Sequence, residues 1–586
     1  MNLPKGQLTA RGIAIGMVGC VVITAASAYT ALKMGALPWP IVFAAIVALF
    51  FLKLINKGHA DLNEANVTHT VMSAGSMVAG GLAFTVPAAW MLGFADETSW
   101  IDLLVVALGG TVLGSVCTVL LRRRFIVEEP LEFPIGQAAA QTLVAGEAGG
   151  STGAKLFGAL GLAGVYTWLR DGLAVLPTVF FQGISIPGVS FGLYNSPLMM
   201  SMGFLVGTSS VVVWFLGALL GSFGIVVAGT ACGLWDTSTA QGIASSLGMG
   251  AMMGCGLAVV VKLIAEKLYS FVKGTASKEP SVPHELETPH EEFTTIAASA
   301  TERSERAQAA GGKGSVSPTA GLIALGAAAV ALALCVFLQL SVVVSVVVVL
   351  LSFVTCAMAA QSCGQTGIDP MEIFGLIVLL FVAAFSESTQ VQLFYIAGVI
   401  AVACGLAGDV MYDFKAGHIL GTDWRAQWIG QAIGSVLGAV VSVAVMMVLL
   451  AAYGPDAFGP QGSFIAAQAS VVATMVSGIP SVEAFVVGLV VGALLYFVKA
   501  PAMMFGLGVY LPFYMSAAAF LGAMLKVACR ALSQRLSKAD TPEERKAHEA
   551  RAEQAGLVVA SGIIGGESVV GVLVALFAIV SGMVAG

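Results

Sequence analysis

The feature that most constrains this chain is the distance it runs without a charge. Gly172–Trp235, Gly314–Ile368, Ala426–Pro455 and Ala500–Leu525 contain no Asp, Glu, Lys or Arg. A spanning helix needs about 20 mostly apolar residues, and water cannot solvate stretches this long as surface. Composition agrees, with 58% hydrophobic and 10% charged residues and a mean hydropathy of +0.92; a soluble domain carries about 25% charged residues. The charges that remain are bunched, since Lys273–Thr319 and Lys526–Glu553 each hold 12 of the 60. This distribution excludes a soluble enzyme, a nucleic-acid binder, a disordered scaffold and a single-span receptor.

Segmenting the apolar runs predicts an all-α, polytopic membrane protein of about 14–16 helices. The segments include single spans over Leu198–Val227 and Met503–Cys529, a span over Gln392–Leu406 that stops short of Asp409, and a last span over Gly556–Gly582. Lys53, Lys57, Arg122, Arg123, Arg124, Lys262, Lys267, Arg530 and Arg535 fall at segment ends that could share one side. The positive-inside rule makes that side cytoplasmic, in a plasma membrane of the bacterial inner-membrane kind. The net charge of -6 averages exposed and buried parts and says little. All nine cysteines stand singly in or beside apolar stretches, as reduced packing residues do. Ala26-Ser-Ala28 could pass for a leader cleavage site, but the first helix is expected to be retained.

Residues 273–319, rich in Glu, Ser, Thr, Pro and Ala, read as a polar cytoplasmic linker between a first transmembrane half (1–272) and a second (320–586, with a charged cytoplasmic segment at 530–553). The halves share blocks in common order. Phe191-Gly-Leu193 matches Phe505-Gly-Leu507, Pro197-Leu-Met-Met-Ser201 matches Pro512-Phe-Tyr-Met-Ser516, and Phe215-Leu-Gly-Ala218 matches Phe520-Leu-Gly-Ala523. Internal duplication in a polytopic protein is a transporter feature. Two further segments, opening at Phe133-Pro-Ile-Gly-Gln-Ala138 and Phe464-Ile-Ala-Ala-Gln-Ala469, are too short to span and end in Gly/Pro/Ser breaks. They read as paired re-entrant or broken helices, whose open backbone groups must face a cavity or ligand. Tilted interfacial helices are the alternative.

Several blocks carry a family resemblance: Ala28-Tyr-Thr-Ala-Leu-Lys-Met-Gly35, Glu64-Ala-Asn-Val-Thr-His-Thr-Val71, Leu131-Glu-Phe-Pro-Ile-Gly-Gln-Ala138, Asp413-Phe-Lys-Ala-Gly-His-Ile-Leu-Gly421 with Gln427-Trp-Ile-Gly-Gln-Ala-Ile-Gly434, Gly508-Val-Tyr-Leu-Pro512 and Gly562-Ile-Ile-Gly-Gly-Glu-Ser568. In this order they resemble the oligopeptide transporter (OPT) family, which includes the yellow stripe-like carriers of metal chelates. The resemblance implies a secondary carrier with a duplicated core that moves small peptides or metal chelates with protons. Ser27 and Met411-Tyr412 depart from residues common in the family, and no Asn-Pro-Gly triplet occurs.

Proton coupling needs an ionisable group inside the membrane. Glu567 is the sharpest candidate, alone in an uncharged, glycine-interrupted span; Glu387, Glu147 and Glu64 are further candidates. A zwitterionic peptide calls for basic, acidic and amide partners. Tyr29, Asn66, Gln137, Gln141, Tyr194, Asn195, Gln468 and Tyr510 are candidate substrate contacts, with Lys33, Asp413 and Lys415 for charge pairing or gating. Each has a structural alternative as a packing, capping or loop-anchoring residue. His69 and His418 lack an HxxH or Cys/His cluster, so metal ligation by the protein is not expected, and no cofactor is implied.

The leading expectation is therefore a proton-coupled importer of small peptides working by alternating access, with the lipid bilayer as its setting. Uptake of metal–chelator complexes is the alternative within the class, and a channel the alternative outside it. Asp409 and Asp413 suggest an intramembrane hydrolase dyad only superficially, since both lie in one short stretch, and no Gly-x4-Gly-Lys-Ser/Thr motif offers ATP drive. A homodimer packed through Val342–Ala360 is compatible with the sequence.

Overall fold

A computed structural model describes residues 6–35, 37, 40–128, 130–147, 152–181, 183–273, 318–367, 369–459, 462–536 and 542–581. The linker expected at 273–319 lies almost wholly outside the described residues.

Nine principal helices precede it: α1 (Ala10–Met34), α2 (Pro40–Ile55), α3 (Leu62–Ala83), α4 (Trp100–Arg122), α5 (Pro134–Glu147), α6 (Thr152–Thr167), α7 (Pro197–Val206), α8 (Thr208–Leu219) and α9 (Thr237–Lys273). After α10 (Pro318–Val336) come α11 (Val342–Thr366), α12 (Met371–Phe385), α13 (Gln390–Leu420), α14 (Trp424–Tyr453), α15 (Ala467–Ser477), α16 (Val482–Phe497), α17 (Ala502–Tyr510), α18 (Phe513–Leu536) and α19 (Pro542–Val580). Among the described residues, ten helices are long and apolar enough to cross a membrane, and six further apolar helices are shorter. The strands are a two-residue antiparallel pair, Val179–Phe180 with Leu193–Tyr194.

The two series interlock. α9 packs along α16 and α19 along α6; α8 lies on α17 and α18 on α7; α13 crosses α4 and α14 crosses α3. The close contacts repeat in register. A Cβ at Gly203 of α7 would collide with the Ala519 carbonyl of α18, and one at Gly508 of α17 with the Trp214 carbonyl of α8. Both members of the second contact lie 305 residues from their counterparts in the first. Small residues let backbones approach this closely where no hydrophobic force drives helices together in lipid.

The short helices α5 and α15 begin alike. Phe133 and Ala466, each immediately before the first helical residue, have φ of 47° and 42°. Phe133 N donates to Gly364 O at 3.0 Å, and Ala466 N to Leu32 O at 2.8 Å. Leu32 and Gly364 each stand three residues before the left-handed glycine ending α1 and α11, Gly35 and Gly367. Each long helix thus lends an otherwise orphaned last-turn carbonyl to the short helix of the other series.

Three expectations about helix boundaries change. Leu198–Val227 is not one span, because the helix breaks at Gly207 (φ 97°) between α7 and α8. Met503–Cys529 likewise breaks at Leu511-Pro512, between α17 and α18, where proline removes a donor. The span begun at Gln392 runs on to Leu420, burying Asp409 and Asp413 within α13. The charged stretch near 530–553 continues α18 and opens α19, and Lys526 pairs with Glu553 at 2.9 Å.

Side-chain ties define two ends of the bundle. At one, Asn66 Nδ2 donates to Thr422 Oγ1 at 3.1 Å, Asp423 N donates to Gln7 Oε1, and Arg122 stacks over Trp424. At the other, Tyr395 donates to Asp102 at 3.3 Å, Trp90 Nε1 donates to Thr98, and the Trp90 and Phe458 rings meet edge to face.

Candidate substrate site

At this second end, between α1, the segment 178–194, the inbound arm of α15 and the start of α18, lies a cavity of about 590 Å³. Its wall includes Lys33, Thr178, Tyr194, Ser463, Ile465 and Tyr514, and Lys33 is the single charged group among its described lining residues. The volume is that of a small-ligand pocket, roughly 300–1,000 Å³.

The sequence places Lys33 here by ending α1 just beyond it, at Gly35 (φ 67°), so that the ammonium occupies the last turn, where the helix dipole favours a cation. Lys33 Nζ donates to the Tyr194 hydroxyl at 3.2 Å. It also sits 5.0 Å from the Phe464 ring centroid and 5.7 Å from that of Tyr29. Tyr29 meets Phe464 edge to face at 5.6 Å. An ammonium held by rings and one phenol keeps donors free for an incoming acceptor.

Behind Tyr194 is a buried polar clamp. Arg170 and Glu567, both side chains 2% exposed, pair at 2.9 Å. Glu567 also accepts from Ser196 Oγ at 2.7 Å and from Leu198 N at 2.8 Å, which satisfies the amino end of α7. Arg170 grips the Asp171 carboxylate through two nitrogens and donates to Asn195 O. Asn195 accepts from the Tyr166 hydroxyl and donates to Pro177 O. Tyr166, Arg170 and Glu567 all bond to residues 195–198, immediately after Tyr194 in the wall.

The structure brings together only part of the candidate set. Lys33 and Tyr194 line the cavity, Tyr29 is buried against Lys33, and Asn195 and Glu567 lie one layer behind. Gln468 is buried against Gly35, donating to its carbonyl at 3.3 Å, and Tyr510 is buried in α17. Gln137 turns back to Glu132 O, and Gln141 is exposed. Asn66 ties α3 to Thr422 at the opposite end. Glu64 is held by Arg11 at 2.7 Å and Thr9. Glu387 is exposed in the turn before α13, Glu147 ends α5 with its side chain outside the described residues, and Lys415 donates to Leu131 O at 2.8 Å.

Sequence reasoning missed Arg170, Asp171, Ser196 and Tyr514. Arg170-Asp171 stands at the edge of the longest charge-free run, which made it look like an interfacial helix end. It also left Asp369 and Glu372 aside; both carboxylates are buried at the α11–α12 corner. Among the described residues, no group of three or more His, Cys, Asp and Glu side chains is arranged to hold a metal ion.

Comparison with known proteins agrees with this architecture. The profile described as OPT oligopeptide transporter protein matches residues 7–578. A Haemophilus influenzae protein, named as a candidate oligopeptide transporter, is 25% identical over 616 aligned positions, covering 93% of this chain and 92% of that one. With a match over nearly its whole length, and with helices fit to span a membrane, the chain belongs to the OPT oligopeptide transporter family.

Proposed function

We propose that this protein is a secondary active importer of small peptides, working by alternating access and driven by protons. The observation that carries the substrate reading is the cavity around Lys33. One ammonium with free donors suits one carboxylate, the carboxyl end of a short peptide. Tyr194, Tyr514 and Phe191 give the rest of the wall an aromatic, side-chain-tolerant character. A carboxylate-rich metal chelate would call for more cations than the single Lys33. The Haemophilus relative's name points the same way.

In this reading the cavity faces outward. The end bearing Arg122 is cytoplasmic by the positive-inside rule, so the Lys33 end faces away from the cytoplasm and the linker lies inside. Inward opening would reverse the interlock of α6–α9 with α16–α19, and the Arg170–Glu567 clamp holds the wall until it does. Glu567, paired and supplied with three donors, serves this account as the clamp's anion. The exposed face of Val342, Val343, Val346, Leu350 and Val354 on α11 is a surface for lipid or a second copy.

The test is thermal stability of the purified protein against di- to hexapeptides and against iron- or copper-loaded chelators, because a ligand that binds only the folded state raises the midpoint. Stabilisation by peptides, abolished in Lys33→Gln, supports the proposal. Stabilisation by metal-loaded chelators alone would replace peptide with chelate as cargo.

A further inference from the structure

We propose that Asp409 and Asp413 of α13, with His69 of α3 and Asp369 of the α11–α12 corner beside them, form the site that carries the transported proton, apart from the Lys33 cavity.

The four side chains come from three parts of the fold. Asp409 and Asp413 are one helical turn apart and each 1% exposed. His69, fully buried, places Nδ1 3.7 Å from Asp413 Oδ1. Asp369 Oδ2 lies over Gly408 with the Cys363 thiol. Gln431 of α14 donates to Asp409 Oδ2 at 3.2 Å, and Gln427 donates to the Asp413 backbone carbonyl at 2.8 Å.

What marks the cluster is how little satisfies it. Asp409 Oδ1 has no hydrogen-bond partner, and the donors nearest Asp413 and Asp369 are uncharged, the Thr70 hydroxyl and the Cys363 thiol. The backbone groups nearest the His69 ring are those of Asn66 and Ile41. The contrast with Glu567 and Glu64 is complete, because each of those carboxylates has an arginine and further donors. Among the described residues, no Lys or Arg pairs with Asp369, Glu372, Asp409 or Asp413.

The groups facing the cluster do not supply the missing cation. α3 offers His69, α11 offers Cys363, and the α11–α12 corner adds a second carboxyl, Glu372, at the start of α12. α13 itself adds Tyr412 beside Cys363 and carries Lys415, whose Nζ is bonded to Leu131 O. α14 presents the neutral Gln427 and Gln431, α4 contributes Arg122 turned to Phe414 and Trp424, and among its described side chains α5 has none that is ionisable. Buried carboxylates without a counter-ion cannot all stay ionised, since desolvation and mutual repulsion both oppose it. Protons are the ligand that neutralises this set at least cost. The neutral amides and the imidazole then offer acceptors and donors through which a proton can be handed on.

The site also has a mechanical position. α13 packs on α3, α4, α11, α12 and α14 at once, so its charge state bears on the contacts between the two helix series. Loading a proton from outside and losing it inside would bias which packing is stable.

The assignment deepens the proton-driven importer reading, but its first test needs no substrate. Infrared difference spectra of the purified protein between acidic and alkaline pH report protonated carboxyl groups through their C=O stretch, shifted in deuterium oxide. Wild type should show buried protonated carboxyl at neutral pH; Asp413→Asn and Asp409→Asn should each lose part of that signal, and Glu567→Gln should leave it unchanged. Absence of the band in wild type at neutral pH, a measurement that no folding defect can confuse, overturns the proposal. So does a rise in thermal midpoint with sodium chloride over choline chloride that both Asp variants abolish, since the site would then hold a metal cation. In proteoliposomes loaded with tripeptide, Asp413→Asn should retain exchange but lose accumulation driven by a pH gradient. Retained gradient-driven accumulation overturns the assignment, whereas failure of wild type to move any peptide, with the infrared band present, counts against the peptide reading alone.

Discussion

Arg170 and Glu567, 397 residues apart in sequence, form an ion pair at 2.9 Å with both side chains buried. The pair joins the end of the α6 segment to α19, and through Ser196 and Leu198 it fixes the first turn of α7. The two substitutions that break it should differ. Arg170→Met leaves Glu567 a buried anion without its cation and should lower stability by about 3–5 kcal/mol. Glu567→Gln removes the buried charge, keeps one carbonyl oxygen that can accept from Leu198 N and turns an NH2 group to the Ser196 hydroxyl, which can accept, while Arg170 keeps Asp171, so its loss should be smaller. Thermal melting in detergent checks the order, and the reverse order would contradict the clamp.

The interlocked helices make a second prediction, about glycines. Gly508 lies against the Trp214 carbonyl, so Gly508→Val should abolish folded protein. Gly158, also helical, has nothing within 4 Å of an added Cβ. Gly158→Ala should therefore be tolerated or stabilising by about 0.5–1 kcal/mol, the usual gain from glycine to alanine within a helix. Monodisperse yield by size-exclusion chromatography separates the two.

A pH effect is expected at the rim. Asp236, exposed before α9, accepts from the hydroxyls and amides of Ser238 and Thr239, which hold its carboxyl below the ordinary carboxylate range. A carboxyl lowered on folding contributes stability above its unfolded value and loses it as pH falls through the folded one. The first turn of α9, which reaches the cavity segment through Gln241 and Gly188 O, should therefore stay protected across neutral pH and loosen only in strong acid. Asp236→Ala should loosen it at all pH values. Hydrogen exchange of residues 237–241 reads both effects.

Much of the architecture was legible because the bilayer reduces the problem to where charges cannot go. Charge-free runs located the spans, and paired short segments located α5 and α15, whose first turns the structure shows to be built alike. The breaks at Gly207 and Leu511-Pro512 were hidden because both flanks are apolar, and only packing against another helix shows that the chain stops and restarts. Asp409 and Asp413 read as one short stretch beyond a span ending at Leu406 for the opposite reason, since a carboxyl inside a helix is legible as buried only once its neighbours are known. Lys33 and Tyr29 were visible as polar residues in the block closing the first helix, and Tyr194 as a phenol just before Pro197. Arg170 was not, because its partner lies almost four hundred residues away.

On the proposed function, Lys33 receives the carboxylate of a short peptide. The most direct measurement compares binding of one tripeptide as free acid and as carboxyl-terminal amide, by isothermal titration calorimetry, to wild type and to Lys33→Gln. Amidation should weaken binding to wild type by about 1.5–3 kcal/mol, the worth of a charge-assisted hydrogen bond, and make little difference to the variant. Equal binding of acid and amide by wild type, or an equal penalty for amidation in both proteins, would contradict it.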